Sequence, residues 1–312
     1  MSIALFFPGQ GSQSVDMMAA YGDRAVIRHT FEEASEALGE DLWQMVCEGP
    51  AEKLALTVNT QPLMLSAGVA VYRAWREAGG PEPTLVAGHS LGEYSALVAA
   101  GVLEFREAVP LVRFRAQAMQ EAVPAGEGGM AALLGLDAAA VDAVCAEAAQ
   151  GEVVSAANLN APGQIVIAGA NAAVERAMAL AKEQGAKRAV RLPVSAPFHC
   201  ALMKPAAERL AERLASVTIS APQIDIINNV DVAIEREPER IRDALIRQAW
   251  SPVRWIELVT YTVTQGVSHI FECGPGKVLA GMSKRSAGEV PCASIHDEDS
   301  LAQALASAKE KA

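Results

Sequence analysis

Cysteine is scarce in this chain, and so are aromatic residues and runs of positive charge. Five cysteines stand among 312 residues, at positions 47, 145, 200, 273 and 292. Their number is odd, their spacing is wide, and no pair has the separation of metal ligands. They therefore exclude a disulfide framework and a zinc module, and read as reduced thiols of a cytoplasmic protein. Aromatic residues make up 5% of the chain and the net charge is −11. With no basic run interleaved with aromatics, nucleic acid is excluded as a general partner. No apolar segment approaches the roughly 20 residues of a membrane span. The N-terminal run Met-Ser-Ile-Ala-Leu-Phe-Phe-Pro has no basic residues before it and no small-residue cleavage site after it, so it reads as a buried strand and not as a signal peptide. Repeats and low-complexity tracts are absent as well.

What is present is apolar and glycine-rich: 51% hydrophobic residues and 24 glycines, enough for a large core of helices packed on a sheet. The fold class expected is α/β. Ile3–Phe7 is a continuous apolar run, the pattern of a strand buried on both faces of a parallel sheet, and it empties into the polar, Gly-rich loop 8–13. Helical periodicity follows over 25–38, 62–78 and 105–121. Between about 126 and 194 the rhythm changes to strand 129–136, helix 138–150, strand 153–158, a Pro162-Gly163 turn, strand 164–168, helix 172–184 and strand 187–192. That order, β-α-β-β-α-β, predicts a ferredoxin-like unit. The expected organisation is a hydrolase-like body with a central, mostly parallel sheet formed by residues 1–125 and 196–312, with a small inserted domain over 126–195. A long helix is predicted from 200 to 216. Strand-like runs follow at 224–228, 269–273 and 292–295, each leading to a polar or Gly-containing loop, and a last helix from 302 has a charged end.

The most specific short motif is Gly88-His89-Ser90-Leu91-Gly92. It follows the apolar run Leu85-Val86-Ala87 and opens a helix-compatible stretch over 93–100. A serine on a sharp strand-to-helix turn is the context that gives G-x-S-x-G chemical meaning, and glycines on both flanks remove the Cβ atoms that would clash in so tight a turn. Such a serine forms an acyl ester, provided a base removes its proton as it attacks. Among the five histidines, His29 reads as a surface helix residue, His296 beside Asp297, Glu298 and Asp299 as a solvated loop residue, and His269 as structural. His89, adjacent to Ser90 on the turn, points elsewhere. His199, after Ser195-Ala196-Pro197-Phe198, remains as the candidate base, with a helix-capping or core histidine as the plainer alternative. No aspartate or glutamate stands in an obvious place for the third member of a triad, which in the hydrolase order lies between serine and histidine. The imidazole is then left to an amide or a backbone carbonyl. Arg113 and Arg115 both read, on pattern alone, as surface arginines of one helix.

Taken together, seven segments in order make the chain resemble the malonyl-CoA:acyl-carrier-protein transacylase family nearly end to end. They are 7–13, Thr60-Gln61-Pro62, 88–94, 115–120, Asn160-Ala161-Pro162-Gly163-Gln164, Pro197-Phe198-His199 and 248–255. The resemblance implies Ser90 as nucleophile, His199 as base and Gln248 as the residue whose carbonyl holds the histidine. It implies Arg115 as the ligand of the malonyl carboxylate, and backbone N–H groups of Gln10 and Leu91 as the oxyanion hole. Phe198, His89, Gln61 and Asn160 are expected at the substrate. In related domains a Phe at the place of Phe198 goes with malonyl and a smaller residue with methylmalonyl. The resemblance also implies malonyl-CoA and acyl carrier protein as partners, no metal and no organic cofactor, and a monomeric enzyme is expected. A serine hydrolase of acyl thioesters is the rival reading, and Arg115 is what separates the two, because a pocket for neutral acyl chains has no use for a buried cation. Carrier proteins are typically acidic, so docking is expected on a local basic patch, either Lys187, Arg188 and Arg191 or Lys277, Lys284 and Arg285.

Overall fold

The computed structural model describes residues 2–309. Two sheets organise it. Strand β1 is Ile3–Phe7 and β2 is Leu85–Gly88; β3 (Gly128–Leu134), β4 (Val154–Ala161), β5 (Gln164–Ala170) and β6 (Arg188–Arg191) follow, and β7 (Asp225–Ile227), β8 (His269–Cys273) and β9 (Cys292–Ile295) complete the set. The first sheet is five-stranded, in the order β7-β2-β1-β8-β9, and every neighbouring pair is parallel. The uninterrupted apolar run of β1 has its reason here. Ile3, Leu5 and Phe7 pack into the helices on one face, including Leu63, Leu65 and Trp75, while Ala4 and Phe6 pack on the other against Trp255, Leu258 and Val259. Phe6 meets the Trp255 ring edge-on at 4.9 Å between centroids.

The second sheet is four-stranded and antiparallel, in the order β4-β5-β3-β6. Helices Ala138–Ala149 and Asn171–Glu183 cover one face of it, and Leu133, Ile165 and Ile167 meet Val141, Val144 and Val174 in a core of their own. The β-α-β-β-α-β order and this strand sequence together are the ferredoxin-like arrangement.

Several local expectations differ from the structure. The helix expected over 62–78 runs Thr57–Glu77, with Pro62 inside it. A proline in the second turn withholds only one backbone donor, and the buried Thr60 side chain contributes by bonding the Leu54 and Leu56 carbonyls. The long helix after His199 is divided into a short 3-10 turn, Ala201–Met203, and helix Lys204–Leu214. Strand β7 is only three residues long. Helices Leu42–Glu48, Ala51–Ala55, Pro238–Gln248, Trp255–Thr264 and Val278–Ser283 are not among the predicted elements. Among the described residues, no helix is long and apolar enough to cross a membrane.

Candidate active site

Strands β1, β2, β7 and β8 end on the same edge of the parallel sheet, so the loops that follow them converge, as α/β sheets require of their sites. Phe7 lies opposite Gly88 in the register, and the His89 N–H continues the ladder to the Phe7 carbonyl at 3.0 Å. The turn that follows is tight. A Cβ on Gly88 would lie 1.9 Å from the Gly92 carbonyl carbon, and one on Gly92 would lie 2.0 Å from the Phe7 carbonyl oxygen. Between them Ser90 adopts φ 52°, a left-handed conformation that costs a non-glycine residue on the order of 1 kcal/mol and persists only when its surroundings over-determine it. Those surroundings are specific: the Ser90 N–H donates to Asn229 Oδ1 at 2.8 Å, and the Ser90 carbonyl accepts from Gln248 Nε2 at 2.9 Å.

His199 also has a positive φ, 62°, and its Nε2 lies 2.6 Å from Ser90 Oγ. On the far side of the ring, Nδ1 is 3.0 Å from the Gln248 carbonyl and 3.2 Å from that of Ser251. Carbonyls only accept, so Nδ1 carries the proton and Nε2 is left as the acceptor facing the serine. Burial, then the positive charge of Arg115, pushes the histidine pKa down to about 3 against a weaker upward pull from the Gln248 carbonyl. At neutral pH the ring is therefore an uncharged base.

Arg115 is where pattern and structure part most sharply. Its surface-like neighbour Arg113 forms two hydrogen bonds to Glu40. Arg115 is 2% exposed. Its Nη1 donates to Gln61 Oε1 at 2.8 Å, and its Nη2 donates to Gln248 Oε1 at 2.9 Å and reaches Ser90 Oγ at 3.4 Å. The guanidinium lies 5.4 Å from the Tyr94 ring centroid. Among the described residues no carboxylate is within ion-pair distance of it, and its Nε has no partner. An arginine stays charged under such conditions, and a buried charge held by amides, a hydroxyl and a ring is costly unless an anion joins it.

A cleft of about 350 Å³ opens in front of these groups. Gln10, Gln61, His89, Ser90, Leu91, Arg115, Asn160, Phe198 and His199 all line it. Among the described residues, no backbone hydrogen bond is donated by the N–H of Gln10 or Leu91. His89 Nε2 lies 2.8 Å from Asn160 Oδ1, which ties the turn to β4 of the antiparallel sheet. Gln248 is fully buried behind Arg115 and reaches the site through the bonds already given. His29 is exposed, and His296 pairs with Asp297 at 3.1 Å, away from the cleft.

Three further residues of the site were given no role by the sequence. Asn229 braces the serine turn from the loop after β7, and Ser251 supplies the second carbonyl to His199. Glu93, 2% exposed, accepts hydrogen bonds from the Asn229 N–H and from Gln248 Nε2, both at 3.0 Å. Glu93 was visible in sequence as the first-turn residue of the helix that the motif opens. Ser251 stood in the segment 248–255 without a role of its own, and Asn229 had no signal, since only the folded chain brings them near Ser90. Burial pushes the Glu93 carboxyl up to about 7, with the two hydrogen bonds and Arg115 opposing. Among the described residues no group of three or more His, Cys, Asp or Glu is placed to hold a metal ion.

Comparison with known proteins agrees with this geometry. Residues 5–297 match the family described as the acyl transferase domain. The Escherichia coli K12 malonyl CoA-acyl carrier protein transacylase is 54% identical over 306 residues, 97% of this chain and 98% of that protein. A crystal structure of the acyl-carrier-protein S-malonyltransferase from Burkholderia pseudomallei 1710b is 59% identical, covers 98% of this chain and 100% of its own, and superposes with a TM-score of 0.97. A type II PKS acyl-carrier protein in complex with its malonyl-transacylase matches at 51% identity and a TM-score of 0.96, over 98% of this chain and 100% of that one. The chain belongs to the acyl transferase domain family, among the malonyl CoA-acyl carrier protein transacylases.

Proposed function

We propose that the protein transfers the malonyl group from malonyl-CoA to the phosphopantetheine thiol of an acyl carrier protein through a malonyl ester on Ser90. The observation that carries this reading is a buried arginine without a carboxylate partner among the described residues, 3.4 Å from a serine hydroxyl that is itself 2.6 Å from a neutral histidine. An acyl group that ends in a carboxylate supplies the missing anion, and the guanidinium fork meets it with two parallel hydrogen bonds.

In the first half-reaction Ser90 Oγ attacks the thioester carbonyl carbon as His199 Nε2 takes its proton. The carbonyl oxygen becomes an oxyanion facing the Gln10 and Leu91 N–H groups, whose freedom from other backbone partners supports that role; losing one such donor costs about 3–4 kcal/mol in enzymes of this kind. The C–S bond breaks, and His199 returns the proton to the leaving CoA thiolate. In the second half-reaction His199 takes the proton of the carrier's thiol, the sulfur attacks the ester carbon, and Ser90 leaves with that proton. In the first half-reaction a backbone carbonyl in place of a carboxylate on Nδ1 suffices because a thiolate, with a conjugate-acid pKa near 8.5, departs readily. The Phe198 ring, 9% exposed and lining the cleft, crowds a substituent on the acyl α carbon. Asn160 holds His89, and Gln61 holds Arg115.

The cycle as drawn uses groups of one chain, in keeping with the monomer proposed, and no metal or organic cofactor enters it. The five cysteines are free, which supports a cytoplasmic site of action. For carrier docking, exposed Lys277 and Lys284 flank a helix whose Val278, Leu279 and Met282 line the cleft, whereas Arg191 of the other basic cluster is paired with Glu175. Intact-mass measurement after incubation with malonyl-CoA, acetyl-CoA and methylmalonyl-CoA tests the reading. A malonyl adduct on Ser90 that is discharged by holo-carrier and not by water is expected. No adduct, or discharge to water alone, overturns it.

A further inference from the structure

Glu93 takes no part in the bonds made and broken at Ser90, yet the site is strung around it. It is one of two carboxylates among the described residues that are nearly fully buried, and it stands on the first turn of helix Gly92–Ala99, just behind the nucleophile. A single oxygen, Oε2, accepts both the Asn229 N–H and Gln248 Nε2, at 3.0 Å each. Both donors in turn grip the serine turn. Asn229 accepts the Ser90 N–H at 2.8 Å and donates to the Gly88 carbonyl at 2.7 Å, and Gln248 Nε2 donates to the Ser90 carbonyl at 2.9 Å.

The consequence falls on Gln248. With Nε2 drawn toward Glu93 and the Ser90 carbonyl, its Oε1 must face Arg115 Nη2, at 2.9 Å. The same residue's main-chain carbonyl accepts from His199 Nδ1 at 3.0 Å. Turned over, the amide would set its oxygen against two acceptors and its NH2 against a guanidinium, leaving several buried groups unpaired at once. Asn229 N–H, a backbone donor that cannot rotate, keeps an accepting oxygen of Glu93 at this point. We propose that Glu93 is a positioning residue for acyl transfer: by fixing the Gln248 amide it couples the guanidinium that receives the acyl carboxylate to the histidine that activates the serine.

This inference rests on the transacylase reading, so the wild-type chain is measured first; failure of that chain to form malonyl-Ser90 would overturn the reading and not the role of Glu93. Initial rates of Ser90 acylation by malonyl-CoA and by acetyl-CoA are then compared in Glu93→Leu, Glu93→Gln and Gln248→Leu, with melting temperature as the check on folding. A merely structural defect lowers both rates together. Loss of positioning lowers the malonyl-to-acetyl ratio, by about tenfold or more in Glu93→Leu, because only malonyl depends on Arg115. Glu93→Gln retains an accepting oxygen and should recover most of the ratio, to within about threefold of wild type. The double variant Glu93→Leu/Gln248→Leu should show a ratio no lower than Gln248→Leu alone. An unchanged ratio in Glu93→Leu, or independent, multiplying losses in the double variant, overturns the proposal. If Glu93→Leu does not fold, Glu93→Asp substitutes for it: the shorter side chain withdraws the oxygen from Gln248, and an unchanged ratio there overturns the proposal equally.

Discussion

The two walls of the cleft are built differently. From the parallel-sheet side come Ser90, His199 and Arg115, groups that carry or change charge, each fixed by two or more bonds to neighbours. From the antiparallel sheet come Met130, Ala132, Val166 and Leu192, which are apolar, and the amides Asn158, Asn160 and Gln164. One wall accepts backbone strain at Ser90 and His199 to aim its atoms. The other presents regular strands, whose alternating side chains offer shape and little chemistry. The charged and strained groups therefore rest on a few over-determined turns, while the shape of the cleft is spread over many contacts.

The largest effect should come from the first wall. Ser90→Ala is expected to abolish the acyl adduct and to lower transfer by about a thousandfold or more, read by intact mass and carrier loading. A full-strength adduct elsewhere on the variant would break the assignment of the nucleophile. Arg115→Ala should lower malonyl loading about a hundredfold while neutral acyl groups gain in relative preference; Arg115→Lys should recover only part, since an ammonium lacks the planar fork. An unchanged malonyl preference would instead favour a hydrolase of neutral thioesters. At the boundary between the walls, Phe198→Ser should raise methylmalonyl loading relative to malonyl by about tenfold, and equal loading by the wild type would refute the steric role of the ring.

The second wall should answer more softly. Asn160→Ala frees His89 from its 2.8 Å contact and is expected to change kcat/KM by only about three- to tenfold, with Ser90 still acylated. A loss as large as that of Arg115→Ala would erase the distinction between the walls.

The smallest effect is one of stability. Glu272, at the end of β8, accepts the Ala280 N–H at 2.7 Å and so holds the start of the helix that lines the cleft, and burial pushes its pKa up to about 7 from an ordinary 4.5. A carboxyl that binds its proton more tightly when folded stabilises the fold fully below pH 4.5, and that contribution is lost as pH rises through 7. Glu272→Gln removes this titration. Its melting temperature should fall less between pH 5 and pH 8 than that of the wild type, by a few degrees. Identical slopes would show that the carboxyl does not titrate in that window.

Sequence patterning was legible wherever a residue's environment is set by its neighbours along the chain. The apolar run of Ile3–Phe7 announces a strand buried on both faces, and the alternation of elements over 126–194 announces the antiparallel unit. The glycines of the serine motif announce a turn too tight for Cβ atoms, because that clash is local. Helix boundaries around Pro62 and after His199 were less legible, since a proline or a short 3-10 turn is tolerated or imposed by packing that no local window contains. The two arginines mark the limit most clearly. Arg113 and Arg115 sit two positions apart on one helix with the same chemistry, and only the shape around them makes one a half-buried ion pair with Glu40 and the other a buried cation.

By itself, then, the sequence determined that this is an α/β protein with a serine on a strained turn, and the order of its motifs tied it to one family. Which histidine meets that serine, which carbonyl holds the histidine and which arginine is buried beside the serine were decided by tertiary structure. Ser90, His199 and Gln248 are separated by 109 and 49 residues, and no periodicity encodes contacts at such distances. They meet because the loop after β2, the segment that leaves the antiparallel sheet after β6 and the end of helix Pro238–Gln248 are packed together at one edge of the parallel sheet.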